Sequence, residues 1–320
     1  MSKSLQTPVA FLIFNRPALT ERVFSAIAEA KPQRLLIVAD GPRTSEEVET
    51  CNQARAIIEK VDWDCRVQTN FADTNLGCRV RVSSGIEWIF SEVSEAIILE
   101  DDCLPHPSFF DFCQQLLERY RDDERVMHIG GGNFQNGNNQ TPFSYYFSRY
   151  LHVWGWATWR RAWQFYDVSM SSWPATKTAF LNMFDDDVER NFWQEAMEQI
   201  FAQEICTWDY QWSYACLRQS GLSIVPAVNL ISNLGWDADS THNKTVNSEF
   251  AFKSTADIGS LRHPPYVMPH RAADRYVFDR VFGGAARREQ LQQKAESMVR
   301  SDKFSAVTHL MARIHHRTKK

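Results

Sequence analysis

The stretch Ala96-Ile97-Ile98-Leu99-Glu100-Asp101-Asp102 runs four apolar residues straight into three carboxylates. A short, unbroken apolar run reads as a strand buried on both faces, as in a parallel sheet covered by helices. Toward the amino terminus the same kind of run recurs at Cys65–Thr69, Leu35–Ala39 and Val9–Phe14. Helical spacing fills the gaps. Thr20–Ala30 places Val23, Ile27 and Ala30 on one face, and Val48–Val61 and Arg79–Phe90 behave alike. Strands that alternate with helices in this way predict an α/β fold, a doubly wound and mainly parallel sheet with flanking helices. Ligands of such sheets bind outside the carboxyl ends of the strands. Glu100, Asp101 and Asp102 fall there.

Beyond Pro107 the pattern loosens. Phe109–Tyr120 is an amphipathic helix, and Val126–Ile129 a further strand. Gly130–Asn139 reads as a Gly/Asn-rich loop too polar for the core. Tyr150–Trp163 holds four Trp in fourteen residues. Glu189–Glu204 and Trp208–Gln219 read as helices, and Leu222–Val225 as a final strand. The expected organisation is a catalytic unit over 1–281, divided near residue 125, and a basic helical extension over 282–320. In the extension Arg287, Arg288, Lys294, Arg300, Lys303, Arg313, Arg317, Lys319 and Lys320 outnumber Glu289, Glu296 and Asp302.

Bulk properties exclude several classes. The chain has 320 residues, 44% hydrophobic and 23% charged, with a formal charge of −4. A basic surface, the usual footprint of a nucleic-acid binder, is not expected, so nucleic acid is no expected partner. No apolar run approaches the ~18 residues of a membrane-spanning helix. The opening MSKSLQTPVAF lacks the apolar stretch of a signal peptide. A cytoplasmic protein is expected, and the seven scattered cysteines without a CxxC pair read as buried reduced thiols.

The acidic triplet carries the chemistry. Three adjacent carboxylates repel one another, and a divalent cation relieves that repulsion. Mg2+ or Mn2+ suits hard oxygen ligands and commonly binds one or two carboxylates plus substrate phosphates. Two weaker signals fall at equivalent strand ends: Phe14-Asn15-Arg16-Pro17 and Asp40-Gly41-Pro42-Arg43. Either tetrapeptide is also simply a good turn. An Asp there can accept hydrogen bonds from a ribose, and an Arg can face a diphosphate.

Taken together, FLIFNRP, VADGPR, TNLGCRVRVSSGI, AIILEDDCLPHPSFFDFC, WGWATWRRAW and TWDYQW resemble a group of bacterial glycosyltransferases, some labelled haemolysin-like. The EDD form is similar to that of the N-acetylglucosaminyltransferase I-like branch of the GT-A fold, whose members use nucleotide-diphosphate sugars. The resemblance spans about residues 7–245. It implies Asp102 as direct metal ligand, with Asp101 reaching the metal through water or holding the ribose, and Glu100 near the donor sugar. It implies nucleotide contacts from Phe14, Asn15, Arg16 and Asp40, and donor contacts from Asn75, Gly77 and Arg79. His242 would be a further metal or diphosphate contact. The first position of the triplet is Glu rather than Asp, so metal binding by both ends does not follow.

An inverting transfer needs a carboxylate to deprotonate the acceptor hydroxyl. Asp209, in Thr207-Trp208-Asp209-Tyr210-Gln211-Trp212, is the candidate, with Glu204 next. A helix-start Asp stabilised by the helix dipole is the plain alternative. Trp154, Trp156 and Trp208 offer flat faces to an acceptor sugar, although core packing accounts for Trp residues equally well. The expected activity is a metal-dependent, inverting transfer of sugar from a nucleotide-diphosphate donor to a glycan or lipid-linked glycan. A sugar-phosphate nucleotidyltransferase is the first rival, but FNRPALT has no Gly-rich phosphate loop. A membrane-active, haemolysin-like protein is the second. The absence of GxxxxGK excludes P-loop chemistry. The tail combines its basic excess with Val299, Phe304, Val307, Leu310, Met311 and Ile314, a pattern suited to the inner face of a membrane or to packing on the catalytic unit.

Overall fold

A computed structural model describes residues 4–138, 141–235, 253–294 and 296–297. Its centre is an eight-stranded sheet. Strands β1 (Val9–Ile13), β2 (Arg34–Ala39), β3 (Arg66–Phe71) and β4 (Glu95–Glu100) are mutually parallel, in the order β3-β2-β1-β4. Every residue of β1 is buried, as continuous apolar strands require. β3 lies at the sheet edge, and its Arg66 and Gln68 agree with that place.

The connecting helices are α1 (Pro17–Ala30), α2 (Val48–Arg55) and α3 (Gly77–Glu92). In α1, Pro17 opens the helix, where its missing N–H costs nothing. Thr20, Val23, Phe24 and Ile27 then form one buried stripe. A short antiparallel ribbon pairs β5 (Cys103–Pro105) with β10 (Ile231–Asn233). It was not legible in the sequence, and Leu222–Val225 is therefore not the last strand.

The other half of the sheet is mixed. β6 (Val126–Gly130), β7 (Tyr145–Ser148), β8 (Trp156–Trp159) and β9 (Leu222–Pro226) complete the order β4-β8-β6-β9-β7. β8 runs antiparallel to both neighbours and joins the two halves. Strand alternation sends Trp156 into the core on one face of the sheet, and Ala157 and Trp159 into the core on the other. Helices α4 (Ser108–Arg119), α5 (Arg160–Trp163), α6 (Trp173–Leu181), α7 (Asp187–Phe201), α8 (Asp209–Arg218) and α9 (Arg271–Arg280) cover it. The molecule is thus an α/β protein with a large, mostly parallel sheet flanked by helices.

Two expectations need correction. Of the Gly130–Asn139 segment, Gly130 ends β6, residues 131–138 form a loop and Asn139 lies outside the described residues, but residues 130–135 are buried. Its polarity is absorbed internally: Asn133 Nδ2 donates to the Pro226 carbonyl (2.7 Å), and Gln135 Nε2 donates to Tyr146 Oη and the Ala273 carbonyl. Of the cysteines, four are buried, Cys65 and Cys78 are half-buried, and Cys206 is exposed. All seven are free thiols. The start of the extension, helical over 284–294, packs on the rest of the chain, one of the two alternatives for the tail. Arg287 pairs with Glu195, and Arg288 with Asp186 and Asp279. Its apolar positions from Val299 onward lie outside the described residues. No helix among the described residues is long and apolar enough to cross a membrane.

Candidate functional site

Parallel register brings three strand ends together. Leu12 of β1 pairs with Glu100 of β4, and Ile13 with Ala39 of β2. The next residues, Phe14, Asp40 and Asp101, therefore emerge on one edge. The Phe14 N–H donates to Asp101 Oδ2 at 3.1 Å. Arg16 bridges the triplet, donating from Nη1 to Asp102 Oδ2 (3.0 Å) and from Nη2 to Asp101 Oδ1. Burial opposes the charge on Arg16, but the two carboxylates outweigh it and raise its pKa further. Burial, then Asp102 and Asp101, push Glu100 up to about 8, favouring its neutral form.

This geometry revises the argument for a cation. Arg16 already relieves the repulsion that the triplet alone implies. Asp102 keeps 17% of its side chain exposed, whereas Asp101 is almost fully covered. Among the described residues no three His, Cys, Asp or Glu side chains converge into a metal cage. Such a donor set fits a hard divalent cation only in its open form, with one or two carboxylates from the protein and the rest from ligand oxygens. The β5–β10 ribbon brings Gly235 over Asp102, so closely that a Cβ there would fall 2.3 Å from Oδ2. His242 lies outside the described residues.

Asp40, Asn75 and Gly77 turn out to hold one another. Asp40 accepts from the N–H groups of Gly41 (2.8 Å), Leu76 (2.9 Å) and Gly77 (3.1 Å), and from Asn75 Nδ2 (3.1 Å). These bonds satisfy donors at the start of α3, so the Asp40 carboxylate is taken up by the protein rather than held open to a ribose. Gly77, with φ of +76°, adopts the left-handed turn that glycine favours. Arg55 and Arg81 tie this edge down through the carbonyls of Asp40 and Ala39. Asn15 Nδ2 donates to Glu47 (3.1 Å), and Arg43, also paired with Glu47, lies over the Phe14 ring at 5.2 Å. Arg79 donates to Gln203 (3.4 Å) on the turn after α7.

Asp209 opens α8. Its Oδ1 accepts from Thr207 Oγ1 and from the Tyr210 N–H (3.0 Å). Its charge is felt at Glu100 and at Cys78, whose thiol is pushed up to about 12 by burial and then by Glu100 and Asp209. Asp209 is therefore near enough to raise the pKa of Glu100, though burial, Asp102 and Asp101 contribute more. It also lines a cavity of about 300 Å3 with Phe134, His152, Trp154, Tyr210 and Ser213. Glu204 is exposed on the turn before α8 and does not line that cavity.

Of the three candidate sugar platforms only Trp154 reaches the cavity. Trp156 and Trp208 are 1% and 4% exposed and stack on each other at 5.8 Å within the core. They are packing residues, and an acceptor role for them is withdrawn. His152, Tyr210, Ser213 and Phe134 belong to the cavity but carried no sequence signal as a set. They come from three separate segments, the loop after β6, the approach to β8 and the first turns of α8, which meet only in the fold.

No family model matches the sequence, and no curated protein matches it. Among solved structures it is similar to a UDP-glucose pyrophosphorylase complexed with UDP-glucose. That likeness has 11% identity over 50% of this chain and 78% of the other, with a TM-score of 0.31. A CMP:2-keto-3-deoxy-manno-octonic acid synthetase complexed with CTP gives 14% identity over 56% and 84%, with a TM-score of 0.33. Likenesses of that size assign no activity to this chain.

Proposed function

We propose that this protein is a glycosyltransferase of the GT-A type, moving a sugar from a nucleotide-diphosphate donor to a glycan or lipid-linked glycan with inversion. The reading rests on one observation: Asp209 borders an aromatic cavity on one side while its charge reaches the acidic strand end on the other. A donor at the ends of β1, β2 and β4 and an acceptor in the cavity would then meet at Asp209.

The free Oδ2 of Asp209 is the base. It takes the proton of the acceptor hydroxyl as that oxygen bonds to the anomeric carbon, and the bond from that carbon to the diphosphate breaks. Asp102, with Asp101 beside it, would hold Mg2+ or Mn2+, which when bound offsets the charge growing on the departing diphosphate. Arg16 keeps both carboxylates in place at the strand end. Phe14 and Arg43 lie where a base or ribose would pack.

The test is a panel of nucleotide-diphosphate sugars, assayed for nucleotide release with and without Mn2+ and acceptor glycans, with the product's anomeric configuration read by NMR. Transfer with release of nucleoside diphosphate is expected. Formation of pyrophosphate from a nucleoside triphosphate and a sugar phosphate would instead mark a nucleotidyltransferase.

A further inference from the structure

We infer that the cavity beside Asp209 is a subsite for one uncharged sugar ring, with His152 and Tyr210 reading its hydroxyls. This deepens the acceptor half of the proposed function and rests on it.

Size comes first. At about 300 Å3 the cavity lies at the small end of ligand pockets, room for one ring rather than a chain. Its walls come next. Trp154 and Phe134 meet at 5.1 Å, and with Tyr210 they line the space with aromatic rings suited to the C–H side of a pyranose. Polar groups complete the match. Among the described residues, Asp209 Oδ2, the His152 ring nitrogens and Tyr210 Oη have no protein partner, although all three side chains line the cavity. Three unclaimed polar groups around aromatic walls suit a polyol and would be wasteful for an apolar guest.

Charge selects further. Among the described residues, Asp209 is the only formally charged one in the lining. Two cations stand near it: Lys253, over the Phe134 ring at 5.3 Å, is tied to the Asn133 carbonyl and Asn136 Oδ1, and Arg287 pairs with Glu195; neither lines the space. His152 stays neutral because burial, then His128 and Lys253, lower its pKa to about 3. A neutral imidazole offers one donor and one acceptor, the complement of a hydroxyl. A uronate or a sugar phosphate would face the Asp209 carboxylate, and among the described residues the lining holds no cation to pair with it. The ring that fits is therefore a neutral hexose or N-acetylhexosamine.

The experiment titrates full-length protein with methyl glycosides of neutral hexoses, of N-acetylhexosamines and of hexuronic acids. Saturation-transfer NMR and tryptophan fluorescence read binding. His152→Phe keeps a ring against Phe134 but removes both nitrogens, Tyr210→Phe removes one hydroxyl, and His152→Gln restores a donor and an acceptor. Thermal melts establish that each variant is folded.

At least one neutral glycoside should bind the wild type and no uronate should. Each Phe variant should weaken binding about 2–10-fold, the range of a single hydrogen bond, with His152→Gln recovering part of the loss. Uronates binding as well as neutral rings, Phe variants matching wild type, or no neutral ring binding at all would each overturn the inference. Ring binding without turnover on any donor would overturn the glycosyltransferase reading alone. Turnover without ring binding would overturn the subsite alone.

Discussion

Removing Arg16 would leave three carboxyl groups facing one another at the end of β4. Breaking a largely buried pair costs up to about 3 kcal/mol, because the remaining charges stay desolvated. Arg16→Gln should therefore melt well below wild type. If Asp102 and Asp101 take a divalent cation, Mn2+ should raise the melting temperature of Arg16→Gln more than that of wild type, since the ion would supply the missing positive charge. Identical Mn2+ responses in both proteins would argue against a cation at the triplet. Asp209 makes a separate prediction at the same scale. Asp209→Asn keeps the helix-start hydrogen bonds through its side-chain oxygen but cannot accept the proton. Turnover should fall at least ~10²-fold with donor affinity unchanged. A loss of donor affinity in single-turnover binding would move Asp209 out of the role of base and into the donor site.

At the scale of the element, the start of α3 depends on the end of β2. Four donors converge on the Asp40 carboxylate, three of them backbone N–H groups. Asp40→Ala would leave them unanswered, at a cost of about 2 kcal/mol by analogy with strong helix caps. Urea unfolding of the unliganded protein measures this directly. Stability equal to wild type would mean that Asp40 is not needed to organise the loop. The same element shows where sequence reading stopped. Asp40 was legible at the end of its strand, and the resemblance placed Asn75 and Gly77 near the same edge. That they bind one another was not legible, since hydrogen-bond partners 35 to 37 residues apart are fixed only when β2 and α3 pack.

Across the whole molecule, the joint between the two halves of the sheet buries a histidine. His128 on β6 accepts from Trp212 Nε1 (3.2 Å), donates to the His152 carbonyl (3.1 Å) and stacks on Trp156 at 5.0 Å. Burial lowers its pKa to about 3. The unfolded chain protonates near the ordinary 6.5, so the stabilisation from a neutral His128 is complete above that pH. It is lost as pH falls through the window from 6.5 toward 3, by at most ~1.4 kcal/mol per pH unit. Melting temperature should drop steadily between pH 6.5 and 4.5, and the ring nitrogen shifts of His128 should stay those of neutral imidazole while the protein is folded. Protonation near pH 6.5 in the folded state would contradict the burial argument.

By itself the sequence determined the parallel half of the sheet and the place of the acidic strand end. Continuous apolar runs can be satisfied only between two layers, and the carboxyl edge follows from strand direction. It also marked Asp209 and Trp154, because a carboxylate at a helix start and a Trp beside Gly155 are local features. Only the tertiary structure decided which aromatic residues line the cavity and which fill the core. Trp154 and Trp156 are two residues apart with the same chemistry, and their different fates depend on where β8 begins between β4 and β6. Likewise only the fold brings Arg16 onto Asp101 and Asp102. Its distance of 85 residues from Asp101 hides the pairing until parallel register sets the two side by side.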